Sequence, residues 1–172
     1  LAENHFLTDW VRQGEPDKTV QGVVNQLLLI KAQQNADMAF MITVEQGSYY
    51  TDKGLFKRLD RAEARDAWFY RFVDSELKYE IAFDQDEMSG EMKAFVNYRM
   101  EHEGETVAVV GIGVDISEVV ALVKDQPLAS GGRLLLTEDS GKIRVHTGVQ
   151  NAGEATRLAD HAEVAGIERR LL

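Results

Sequence analysis

The spacing of apolar positions changes several times along this chain, and each change predicts an element. Over residues 2–11, Phe6, Leu7, Trp10 and Val11 recur at helical intervals. Gly14-Glu15-Pro16 breaks that pattern, and Asp17 suits the N-cap of a second helix. There Val20, Val23, Val24, Leu27 and Ile30 form one apolar stripe, as in a helix packed across a sheet. Residues 38–44 have the composition of a strand. Gln46-Gly47-Ser48 turns it, and residues 49–51 return until Asp52-Lys53-Gly54 closes the pair. Residues 55–67 are charged and predict helix or coil. Trp68, Phe69, Tyr70 and Phe72 then crowd the crossover, with Phe69 and Phe72 suited to the core.

The pattern then returns to period two. Leu77, Tyr79, Ile81 and Phe83 alternate with Lys78, Glu80 and Ala82, and a polar connection over residues 84–91 leads into a central hairpin. Residues 93–100 form its first strand, and Glu101-His102-Glu103-Gly104-Glu105 its acidic turn. The valine- and isoleucine-rich residues 106–114 suit a strand buried on both faces. Gly111 and Gly113 sit inside that strand, where glycine marks a bulge or a close approach by another group. Asp115 opens a short helical run over residues 117–124, ended by Pro127. The order predicts an α+β domain, five antiparallel strands behind a long N-terminal helix. Past Gly131-Gly132, residues 133–137 and 142–147 form a second hairpin around Asp139-Ser140-Gly141, and residues 151–172 read as helix. We therefore divide the chain into a module over 1–125 and the opening part of a second, similar module over 131–172.

Charge narrows the function classes. With 29 acidic against 19 basic residues the net charge is −10, which opposes nucleic acid and anionic lipid as partners. The absence of cysteine excludes disulfides and thiolate chemistry. No apolar run approaches the ~18 residues of a membrane span, and the start at Leu1 suggests an excised piece of a longer protein. His5, His102, His146 and His161 lack metal-ligand spacing, and Asp84, Asp86, Glu87 and Glu91 lack the register of a calcium loop. No phosphate loop, nucleophile elbow or marked carboxylate pair is present, so neither a catalytic residue, a metal nor a cofactor is assigned.

Six side chains are candidates for a binding site, each with a structural alternative. Asp115 either anchors a cationic ligand group or caps the following helix with Glu118. Trp68 is a pocket wall or a core residue. Tyr50 and Tyr79 each carry a hydroxyl on an apolar body that could line a pocket. Asn97 either meets a ligand or bonds the backbone, and Arg99 pairs a carboxylate or a cross-strand acid.

Trp68-Phe69-Tyr70 after a charged crossover, Phe95-Val96-Asn97-Tyr98, and Gly111-Ile112-Gly113-Val114-Asp115-Ile116-Ser117 together resemble the Cache superfamily. These are extracytoplasmic PAS-like sensor domains of bacterial receptors. Residues 132–146, with the Asp139-Ser140-Gly141 turn and His146, are similar to the hairpin that opens the membrane-proximal module of double-Cache receptors. The resemblance spans residues 15–150. It implies a PAS-like fold and a periplasmic, non-catalytic input domain whose membrane helices lie outside this stretch. It also implies a homodimer, a small ligand of the amino acid, amine or carboxylate class in the first module, and an output domain. A diguanylate cyclase is favoured for that output over a chemotaxis domain or a histidine kinase. A ligand-free dimerisation or docking module is the alternative. Amino-acid-binding members carry Arg-x-Trp-Tyr, whereas here Arg65 stands one residue further back and Phe69 replaces the Tyr.

Overall fold

The computed structural model describes residues 4–117 and the strand backbones Leu135–Thr137 and Ile143–His146. The chain divides into two compact units. The first comprises Leu1–Ala82 and Ala94–Asp115, and the second Phe83–Lys93 and Ile116–Leu172.

Two helices open the first unit. Helix α1 (His5–Arg12) starts where the Asn4 side chain accepts the Leu7 N–H. Helix α2 (Val20–Gln33) follows a 3-10 turn over Asp17–Thr19, so Asp17 enters that turn and is not the cap of α2. The predicted stripe buries at Val23, Leu27 and Ile30.

Strands β1 (Met38–Thr43), β2 (Ser48–Thr51), β3 (Gly54–Arg58), β4 (Tyr79–Gln85), β5 (Met92–His102) and β6 (Glu105–Asp115) form one sheet in the order β3-β2-β1-β6-β5-β4. The α+β, PAS-like architecture is as expected, with one strand more. Residues 54–58 join the edge as β3, although their charge suggested helix or coil. An edge strand tolerates Lys57 and Arg58 because only one side of it is paired. Helix α3 (Ala67–Asp74) carries the aromatic crossover, and Phe69 and Phe72 are core residues at 1% exposure each.

The central pair is β1 with β6, antiparallel, Met38 opposite Gly113 and Thr43 opposite Ala108. Every residue of β1 is buried, because the sheet is covered on both faces. Alternation sends Ala39, Met41, Val110 and Ile112 toward α1 and α2, with Leu7, Trp10, Val23 and Leu27. It sends Met38, Phe40, Ile42 and Val109 to the other face, with Phe69 and Phe72 of α3. The turn between β5 and β6 puts Glu103 at φ 51° and Gly104 at φ 85°, the two positive values of a type I′ hairpin.

In the second unit, Asp86 satisfies its own turn: its carboxylate accepts from the N–H of Met88 and Ser89 and from the Ser89 hydroxyl. That is a self-bonded acidic loop, not an array of open ligands. Strands β7 (Leu135–Thr137) and β8 (Ile143–His146) pair antiparallel, as the second hairpin predicts. The helices expected over residues 117–124 and 151–172, and the rest of the second module, lie outside the described residues.

Candidate functional site

The α3 face of the sheet is where aromatic surface, glycine and polar side chains meet. Helix α3 is fixed over it at both ends. Before it, buried Asp66 accepts the Lys57 ammonium at 2.7 Å and the Asp60 N–H at 2.9 Å. At its far end the Arg99 guanidinium, projecting from β5, donates to the carbonyls of Phe72 (2.8 Å), Val73 (3.2 Å) and Ser75. The same side chain donates to Leu77 O at 3.0 Å and Thr106 Oγ1 at 2.8 Å. A cation at the C-terminus of a helix also meets the negative end of its dipole.

Between these anchors lies an aromatic cluster. Phe40 stands edge-on to Trp68 at 6.4 Å and to Phe95 at 6.3 Å, and tilts against Tyr49 at 5.5 Å. Trp68 and Tyr49 are half-buried. The two glycines of β6 lie on this face, and their space is taken. A Cβ on Gly111 would sit 2.4 Å from Phe40 Cζ and 2.8 Å from Val96 O. One on Gly113 would meet Met38 Cγ at 2.8 Å and Phe95 Cε1 at 3.1 Å. Glycine here admits this chain's own rings, where the sequence suggested room for a ligand.

Beyond Gly113 the face ends in two carboxylates. The Asp37 N–H donates to Gly113 O at 2.9 Å, and the Asp37 side chain accepts the Asp115 N–H. Both residues are exposed. The helix that Asp115 would cap lies outside the described residues.

The six sequence candidates divide by face. Trp68, Asn97, Arg99 and Asp115 share the α3 face. Asn97 is 2% exposed and donates its Nδ2 to Glu80 Oε1 at 3.0 Å, while its Oδ1 has no partner. The Arg99 donors go to the end of α3, where the side chain acts as a structural clamp, and Glu101 approaches only to 4.0 Å. Tyr50 lies on the opposite face. One residue along β2 from Tyr49, it points to the α1/α2 face, stands edge-on to Trp10 at 5.2 Å and donates to buried Glu15 at 3.1 Å. Burial and the Glu15 carboxylate push its hydroxyl up to about 12. Tyr79 is 53% exposed and stacked on Tyr98 at 5.4 Å. Period-two alternation explains both displacements, since neighbouring strand residues face opposite sides.

Sequence reasoning missed Asp37, Phe40 and Glu80. Asp37 comes together with Asp115 only through the β1–β6 register, across 78 residues of chain, and no local pattern marks it. The polar residue just before the apolar β1 was the one available signal. Among the described residues no group of three or more His, Cys, Asp or Glu could hold a metal, and no helix is long and apolar enough to cross a membrane.

No family model matches the chain. Solved structures do resemble it. The sensor domain of the Vibrio cholerae histidine kinase DctB superposes with a TM-score of 0.59 at 15% identity, over 84% of this chain and 55% of that one. The ligand-binding domain of the Pseudomonas fluorescens chemoreceptor CtaA, in complex with L-serine, gives 0.56 at 16% identity over 88% and 63%. That of the Pseudomonas aeruginosa PAO1 amino acid chemoreceptor PctC, in complex with GABA, gives 0.54 at 16% identity over 85% and 64%. The chain therefore spans less than two thirds of each of these domains. At such identities the likeness is one of fold: the chain shares the PAS-like fold of these sensor and ligand-binding domains.

Proposed function

We propose that this chain is the extracytoplasmic input domain of a bacterial membrane receptor, that it binds a small solute on the α3 face of its sheet, and that it catalyses nothing itself. One observation carries the reading: Trp68 of α3, and Asn97 and Asp115 of the strands, picked out from sequence, belong to one face of the sheet, in a fold like that of ligand-binding sensor domains. In this reading residues 1–125 form the binding module, and residues 131–172 open a second one through the β7–β8 hairpin. Ligand contacts bias two arrangements of α3 against the sheet, and only differential affinity for the two can shift them. The signal passes to the membrane through terminal segments and a homodimer contact along the N-terminal helices. The neighbours described above come from a histidine kinase and two chemoreceptors, so those outputs stand beside the diguanylate cyclase favoured by the aromatic crossover.

A thermal-shift screen with amino acids, amines, carboxylates, nucleobases and sugars tests the proposal. A ligand at about 100 times its dissociation constant stabilises the fold by about 2.7 kcal/mol. Asp115→Ala should abolish that response while leaving the unliganded melting temperature nearly unchanged. A lowered melting temperature with the response intact makes Asp115 a cap. A second reading, a ligand-free dimerisation or docking module, has one observation behind it: Phe40, Met38 and Phe95 already fill the space over Gly111 and Gly113. Silence across the whole screen would favour it.

A further inference from the structure

The sheet ends in two edges of different character. At one end β3 carries Lys57 and Arg58, and its pairing with β2 shifts register between Tyr49 and Tyr50. Charge and irregularity of this kind blunt an edge against further pairing. At the other end, among the described residues, β4 has a neighbour on one side only. It runs from Tyr79 to Gln85 without lysine, proline or glycine. Tyr79 is 53% exposed and Ile81 56%. Lys78 O accepts the Arg99 N–H, Tyr79 stacks on Tyr98, and Glu80 accepts from Asn97, so these residues stand opposite one another along β4 and β5. The backbone groups of Lys78, Glu80 and Ala82 are therefore turned to β5, and those of Tyr79, Ile81 and Phe83 to the open edge.

We propose that this edge docks a second copy of the chain, β4 pairing antiparallel with the same strand of the partner about a two-fold axis at Ile81. The strand is self-complementary in that register. Ile81 exchanges backbone hydrogen bonds with the partner's Ile81, and Tyr79 does so with the partner's Phe83 at either end, so every outward N–H of the three finds a carbonyl. On one face Tyr79, Ile81 and Phe83 continue into the same apolar row of the partner. On the other, Glu80, already bonded to Asn97, stands opposite the small Ala82 of the partner subunit. Exposed Lys78 stands opposite the partner's Asp84, an opposite-charge pair made twice by the symmetry. Moving the axis one residue either way sets Glu80 against the partner's Glu80 or the partner's Asp84, like charges directly opposite. Each chain carries a net charge of −10, so a self-contact needs its local charges paired, and this register pairs them. The contact depends neither on the solute-binding reading nor on pairing along the N-terminal helices.

Sedimentation velocity of the 172-residue chain tests the pairing. A contact of one strand edge lies at the small end of specific interfaces, below about 1,200 Å² in total, so the chain should self-associate reversibly as its concentration rises toward the millimolar range. The N–H groups of Tyr79, Ile81 and Phe83 should exchange with solvent more slowly over the same range. Ile81→Lys, at an exposed position, should weaken association at least about tenfold by setting two ammonium groups on the axis, and should leave the melting temperature of the dilute chain unchanged. Lys78→Asp and Asp84→Lys should each weaken it about tenfold alone, and an equimolar mixture of the two should recover it, because each chain then supplies the charge its partner lacks. A chain that stays monomeric into the millimolar range overturns the proposal. Association untouched by Ile81→Lys overturns it too, by placing the contact on another surface, and a mixture that fails to recover overturns the register.

Discussion

The two faces of the sheet are built from the same strands and do different work. The α1/α2 face is closed by aliphatic side chains, Leu7, Val23, Leu27, Met41 and Val110, with 6% exposure or less where they meet. Its Tyr50–Glu15 contact is paired, while Ser48 Oγ on the same face is buried without a hydrogen-bond partner. The α3 face is aromatic, leaves Trp68 and Tyr49 half-buried, carries two glycines, and keeps a buried amide oxygen unpartnered. One face is a packed interior. The other is packed as well, at Phe40, Phe69 and Phe72, but its covering helix is fixed in addition by polar clamps, where the first face relies on aliphatic burial. Packing gives stability without direction, whereas clamps fix position and leave polar capacity for something else.

The contrast can be broken from either side. Leu27→Ala, at 0% exposure on α2, should cost about 2–5 kcal/mol in urea unfolding through lost transfer energy and a cavity. Below its lowered melting temperature, it should leave probe binding on the α3 face unchanged. Arg99→Ala should cost about 2–4 kcal/mol, because it strips the donor from several carbonyls at the end of α3. Unlike Leu27→Ala it should also speed hydrogen exchange across α3, and Arg99→Lys should restore only part, since an ammonium cannot reproduce the five-donor fork. Gly111→Ala should cost about 1–3 kcal/mol by overpacking. Phe40→Leu should relieve the ring clash but not the approach to Val96 O, so the double variant recovers only in part.

Tyr50→Phe sharpens the comparison from the packed side and is the smallest effect, about 1–2 kcal/mol from a buried Glu15 carboxylate without its donor. Its pH signature is specific. The folded Tyr50 holds its proton up to about 12, against an ordinary value near 10. Between those values the folded state binds more protons than the unfolded state, so this contribution is present in full below pH 10 and is lost as pH rises through 12. Ultraviolet titration should show a tyrosine ionising late, near pH 12. That late step should vanish in Tyr50→Phe, and its persistence there would move the buried hydroxyl to another residue.

Most of the elements were legible because their signals are local. The stripe of Val23, Leu27 and Ile30, the alternation of β4 and β5, the Glu103-Gly104 turn and the burial of Phe69 and Phe72 all follow from spacing within a few residues. β3 was illegible because an edge strand with Lys57 and Arg58 carries no clean alternation. The candidate site was legible in part. Trp68, Asn97 and Asp115 fall together, yet Tyr50 and Tyr79 do not, because a phenol's place in the chain says nothing of which face its strand presents.

By itself, then, the sequence determined the two N-terminal helices, the central hairpin and the buried stripes of α2 and α3, since periods of 3.6 and 2 are set by the backbone, while the apolar alternation of β4 is exposed at Tyr79 and Ile81. Tertiary structure alone decided that Asp37 meets Asp115, that Phe40 lies over Gly111, and that Arg99 spends its donors on α3. Each depends on the register of strands far apart in the chain, and a slip of one residue would turn every side chain to the other face.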